Sequence, residues 1–163
     1  MSALQDDQLV FSLGAEAYAI PLRHVREVLE LAPLTPVHGA PSAVRGVMNL
    51  RGQVVPVVDL GRRFDRAPCV LTKWTCVVVV ETVLDGERTP IGVIADSVDE
   101  LASFTAAEVS PPPAFGTGIP CRYLLGLAPR GARFVLVLDA DRLLSAAELL
   151  ALDAAATPAA EAS

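Results

Sequence analysis

The sequence predicts an all-β fold of many short strands, closed by a C-terminal helix. Three observations carry that prediction. Valine-rich apolar runs are cut at intervals by Gly, Pro and Asp, the pattern of strands and turns. The longest fully apolar runs are about five residues, as at Cys76–Val80 and Phe134–Leu138, each within a segment read as a strand. A helix-start signal stands near the end, where Ser145 precedes Glu148 by three residues. With 163 residues and 17.1 kDa, the chain holds one domain or two very small ones. A barrel or sandwich is the default architecture for this pattern.

In chain order, residues 9–13 read as a strand, Gly14-Ala15-Glu16 as a turn, and 17–20 as the hairpin partner. Residues 22–31 read both ways: Leu22, Val25, Val28 and Leu29 make a helical stripe, while the Val and Leu content also permits a strand. Pro33, Pro36 and Pro41 then break regular structure, and 42–49 has room for one short helix. Residues 53–59 form a strand whose Pro56 cannot donate to a ladder, which predicts an edge or a bulge there. Residues 74–83 are a strong strand. Asp85-Gly86 signals a turn leading through Pro90 to a strand at 91–95, a connection longer than the tightest hairpin. Pro111-Pro112-Pro113 and Gly116-Thr117-Gly118 mark a stiff and then a flexible loop, and strands at 123–128 and 133–138 flank Pro129-Arg130-Gly131. The helix is placed in 139–153, with Leu144 and Leu149 spaced for a hydrophobic staple. Residues 154–163 read as a disordered tail. Strand-rich stretches at 9–66 and 73–138 predict two sub-barrels of similar size, with no exact internal repeat.

Composition narrows the function. A bilayer span needs about 20 apolar residues, far beyond these runs. The first residues show no basic region followed by an apolar stretch, so a cytoplasmic location is expected. A net charge of −6 and a pI near 4.8 argue against nucleic-acid binding. Cys69, Cys76 and Cys121 form no CxxC pair and, with His24 and His38, no zinc-type spacing. Phosphate-loop, HExxH and GxSxG motifs are absent. Cys121 with either histidine could form a nucleophile–base pair, against the blander reading of a buried thiol. Asp59, Asp96 and Asp139 each follow an apolar strand, where capping is the commoner role. Arg62, Arg63 and Arg66 read as a solvated helix face, with an anion contact as the alternative. These features favour a binding module without a metal or cofactor.

The segment Gly46-Val47-Met48-Asn49-Leu50-Arg51-Gly52-Gln53-Val54-Val55-Pro56-Val57-Val58-Asp59-Leu60 resembles the NLRG…VPVxDL signature of the CheW-like family, the coupling proteins of bacterial chemosensory arrays. Phe11-Ser12-Leu13-Gly14, Tyr18-Ala19-Ile20 and Val25-Arg26-Glu27-Val28 resemble the family's opening. Ile91 to Val98 resembles its second-half G-x-x-x-D-x-V strand, and Tyr123 to Leu127 with Phe134 to Asp139 its ending. The match spans about residues 9–152. Pro21, Gln53 and Ala95 depart from common family choices without removing a signature residue.

The resemblance implies a mainly β fold of two five-stranded SH3-like barrels on a shared hydrophobic interface, in a single domain over residues 9–153. It implies a non-catalytic adaptor joining the cytoplasmic tip of a chemoreceptor to the regulatory domain of a histidine kinase, at membrane-associated arrays. Length leaves no room for a kinase core or receiver domain, so a stand-alone coupling protein is expected. The family's contact positions map onto Val25, Glu27, Val28, Arg45, Arg51 and Val54. Ordinary core packing is the competing reading for the three valines. Arg51 is expected to leave its tight turn toward solvent. The alternative function is a small barrel binding a ligand or another protein outside chemosensory signalling.

Overall fold

The computed structural model describes residues 7–84, 86–112, 119–145 and 148. Among them ten strands form: β1 (Asp7–Leu13), β2 (Glu16–Pro21), β3 (Val25–Glu30), β4 (Val44–Leu50), β5 (Gln53–Val58), β6 (Cys76–Leu84), β7 (Glu87–Ala95), β8 (Ser97–Ser103), β9 (Leu124–Arg130) and β10 (Arg133–Leu138). One short helix, α1 (Leu60–Arg63), follows β5. The strands pair as two five-stranded sheets: sheet I in the order β8-β1-β2-β10-β9, and sheet II in the order β3-β6-β7-β5-β4.

Valine on both faces of one strand explains the layering. In β6, Val77 and Val79 point into the hollow of sheet II with Met48, Val55, Val57 and Ile94. Val78 and Val80 point the other way, into a core shared with Leu9, Phe11, Tyr18 and Ile20 of sheet I. Sheet I has its own inner cluster of Val10, Ala19, Val135 and Val137. Side chains alternate across a strand, so a run of four valines feeds two cores at once. The shared interface is the one implied by the family resemblance.

The backbone pairings leave both sheets open. Side chains span the gap between edge strands instead. Arg51, in the β4–β5 turn, pairs with Glu27 of β3, and Arg130 of β9 pairs with Asp99 and Glu100 of β8.

The predicted division at 66/73 does not survive. Sheet I takes β1 and β2 from the first half and β8, β9 and β10 from the second, while sheet II is made of β3 to β7. The parallel pairing of β10 with β2 causes this, because it draws the last strands back onto the first hairpin. A permuted repeat underlies it. An offset of 80 residues superposes Gly46 on Gly126, Val55 on Val135, Val57 on Val137 and Asp59 on Asp139. Gly46 and Gly126 each press against a carbonyl, Thr35 O and Ser110 O, where an added Cβ would stand 2.8 and 2.6 Å away. Each aspartate caps the turn after its strand.

Other expectations change locally. Residues 42–49 form β4, not a helix, because Val44, Val47 and Met48 pair with β5. The ambiguous 22–31 stretch splits into a 3-10 turn at Leu22–His24 and strand β3. Pro56 lies in an inner strand, and the ladder to β7 begins one residue later at Val57, so the proline needs no donor there. The β6–β7 hairpin closes tightly at Leu84↔Glu87, with Pro90 inside β7. After β10 comes a 3-10 turn, Ala140–Arg142, and then the reciprocal capping bonds of Ser145 and Glu148. Leu149, the rest of the expected helix and the expected tail lie outside the described residues.

Candidate partner-binding surface

Edge strand β3 alternates in exposure because one of its faces meets the cores. Val25 is half-buried against the shared core. Val28, three residues on, is 41% exposed. The turn of the β4–β5 hairpin, at the opposite edge of sheet II, reaches across the gap to β3 through Arg51. Its two-residue loop needs left-handed backbone, and Arg51 (φ 51) and Gly52 (φ 84) supply it. Asn49 Oδ1 accepts the Gly52 N–H at 2.7 Å and fixes that turn. Val54, just past the turn, is 67% exposed.

The Arg51 side chain is 69% exposed, in line with the expectation, but its fork is not free. Nη1 and Nη2 donate to Glu27 Oε2 and Oε1, each at 2.7 Å. Hydrogen bonds from Arg51 hold the Glu27 carboxyl below its ordinary range, and the same bonds raise Arg51. Glu27 and Arg51 thus form a forked ion pair, with exposed Val28 next to Glu27 along β3 and exposed Val54 just past the Arg51 turn.

Arg45 belongs elsewhere. Its Nη1 donates to buried Asp59 Oδ2 at 2.8 Å and to Cys69 O at 2.9 Å. Asp59 also accepts the N–H of Cys69 at 3.0 Å, its thiol at 2.8 Å, and the Arg62 N–H at 3.3 Å. Burial alone would raise the Asp59 carboxyl, but these donors together hold it below its usual value. Burial and the adjoining carboxylate push the Cys69 thiol up to about 12. Burial raises Cys76 as well, the reverse of thiolate activation. Arg45 and Asp59 therefore anchor the chain after α1, and Asp59 is the cap its position promised.

Sequence reasoning missed a second exposed apolar pair, Leu101 at 60% and Phe134 at 58%. The repeat would have found it, since Phe134 is Val54 plus 80. Strand registers complete the match. Glu27 faces Val79, which faces Gly92, which faces Val57; Glu100 faces Val10, which faces Ala19, which faces Val137. Leu101 thus stands on β8 where Val28 stands on β3, and Glu100 where Glu27 stands; Arg130, one residue before the equivalent of Arg51, supplies the pairing cation.

The CheW-like domain model matches residues 7–148, nearly the whole described chain. The chain belongs to the CheW-like domain family. Chemotaxis protein CheW of Klebsiella aerogenes is 33% identical over 145 residues, covering 89% of this chain and 85% of that protein. Chemotaxis protein CheW of Treponema pallidum is 30% identical over 150 residues, covering 90% and 88%. Among solved structures, the scaffolding protein TtCheW of Thermoanaerobacter tengcongensis superposes with a TM-score of 0.77 at 28% identity, covering 86% of this chain and 88% of that one. Membership of the CheW-like family makes the chain a coupling scaffold of the chemotaxis type. In that CheW-like frame, each sheet carries one exposed apolar residue on an edge strand, Val28 or Leu101, and one on an inner strand, Val54 or Phe134.

Proposed function

We propose that this chain joins the cytoplasmic tip of a chemoreceptor to the regulatory domain of a histidine kinase, in the cytoplasm at membrane-associated arrays. Its work is binding, with no chemical step. The supporting observation is the exposure of Val28, Val54 and the Arg51 side chain of the Glu27–Arg51 pair, on a family domain whose relatives are named chemotaxis and scaffolding proteins. Apolar area together with arginine is the composition that concentrates binding energy at interfaces. Val25 packs against the shared core, and Arg45 contributes through the frame. No helix among the described residues is long and apolar enough to cross a membrane, which fits attachment through a receptor. Co-sedimentation of the purified protein with receptor fragments and kinase tests the reading. Expected is a pellet containing all three, with kinase depleted when this chain is left out. Kinase recovery that ignores this chain sinks it.

A further inference from the structure

The two sheets meet along a line of aromatic rings. Phe11 stacks on Tyr18 at 5.7 Å between centroids, Tyr18 lies 6.2 Å from Phe64, and Phe64 lies 5.3 Å from Tyr123. Phe64, next after α1, comes from the sheet II side; its neighbours Tyr18 and Tyr123 come from the sheet I side. Beside it, the Arg63 side chain is only 11% exposed. Its guanidinium lies 5.8 Å from the centre of the Tyr123 ring and donates to Tyr123 Oη at 3.3 Å. Arg122 donates to the same oxygen at 3.2 Å from the other arginine's neighbourhood.

Among the described residues, one carboxylate pairs with Arg63, and it comes 85 positions further along the chain. Glu148 Oε2 accepts from Arg63 Nη2 at 2.5 Å. Glu148 Oε1 accepts the Ser145 N–H at 3.0 Å, while the Glu148 N–H donates to Ser145 Oγ at 3.1 Å. The two oxygens of a single side chain therefore serve a helix-start cap and the seam between sheets. Arg63 Nε is buried with no partner among the described residues, so besides Tyr123 the Glu148 carboxylate is what holds this guanidinium.

We propose that Glu148 is a latch: its carboxylate, held on Arg63, fixes the angle at which the two sheets pack. Removing the carboxylate leaves a desolvated guanidinium without a counter-charge. Arg63 must then turn out toward water, and Phe64, its chain neighbour, loosens in the aromatic line. The exposed apolar residues, Val28 and Val54 on one side and Leu101 and Phe134 on the other, sit on different sheets. The latch thereby sets the relative orientation of two outward surfaces from a position that touches neither.

The test uses the full chain carrying Glu148→Gln or Ser145→Ala. Glutamine keeps the capping pattern but not the charge; alanine removes the cap and keeps the charge. Residual dipolar couplings report the orientation of each sheet. For Glu148→Gln, each sheet should fit its own frame as in wild type while a common frame fails, with amide exchange at Phe64 and Tyr123 faster by about tenfold or more. Ser145→Ala should keep the common frame. A preserved common frame with unchanged exchange in Glu148→Gln, or equal loosening in Ser145→Ala, overturns the latch. If the glutamine variant does not fold, native-state exchange of wild type decides. A latch requires the Glu148 and Phe64 amides to open together, and separate opening overturns it. An assembly arm, co-sedimentation of Glu148→Gln with receptor fragments and kinase, rests on the proposed function. Failure of wild type to assemble would count against that function alone and leave the coupling result standing.

Discussion

Arg45 and Arg51 sit six positions apart and do different work, which burial decides. Arg45 meets a carboxylate with no exposure to water, so losing it strands a buried charge. Arg45→Met should cost about 3 kcal/mol, read from the urea midpoint. Asp59 is more acidic folded than unfolded. Its contribution to stability is therefore complete above the unfolded carboxylate value of about 3.9 and disappears as pH falls through the lower folded value. Urea midpoints taken from pH 6 down to pH 2 should fall in that window, and Asp59→Asn should flatten the fall. The Arg51–Glu27 pair is exposed, and such pairs contribute little to stability. Arg51→Glu should leave the melt near wild type and abolish kinase binding in titration calorimetry. The swap Glu27→Arg with Arg51→Glu rebuilds the ion pair with its sense reversed. Kinase binding restored by the swap would mean that the pair serves the frame and the partner does not read Arg51.

At the scale of elements, what could be read depended on where each strand stands. β1, β2, β5, β6, β7 and β10 were legible, because inner strands are apolar and their tight turns need Gly; edge strand β9 was legible from the turn it shares with β10. β8 was invisible: an edge strand is wetted on one side, and Ser97–Ser103 offers only Val98, Leu101 and Ala102 as apolar residues. β4 looked helical because its Val and Met spacing fits either period, and only the pairing with β5 decides. Of the six expected contact residues, Glu27 and Arg51 meet in an ion pair and Val28 and Val54 are exposed, while Arg45 bonds Asp59 and the Cys69 carbonyl, a contact no spacing rule shows. The repeat stayed hidden because few residues are shared between its halves. Its glycines are testable. Gly126→Ala places a methyl group 2.6 Å from Ser110 O and Val109 Cγ1, and should destabilise by about 1–3 kcal/mol in thermal or urea melts. A loss under about 0.5 kcal/mol would show that the 109–110 segment yields freely.

For the whole molecule, the shared core predicts one unfolding event. Leu9, Tyr18 and Ile20 of one sheet and Val78, Val80 and Val93 of the other bury the same surface, so neither sheet is stable with that face wet. Tyrosine fluorescence and far-ultraviolet dichroism should give coincident melts, and two separated transitions would refute a single core. Interleaving adds a constraint on synthesis. Sheet II is contiguous in the chain, while the inner strand β2 of sheet I waits for β10, which starts at Arg133, 112 residues after Pro21. At a ribosomal rate of about 5–20 residues per second, that wait is roughly 6–22 s. During it, the nascent β1–β2 hairpin carries Val10 and Ala19 without Val135 and Val137, their partners in the inner cluster of sheet I. The growing chain must keep its first hairpin soluble until its last one emerges, which makes the opening residues the place where a chaperone would find it.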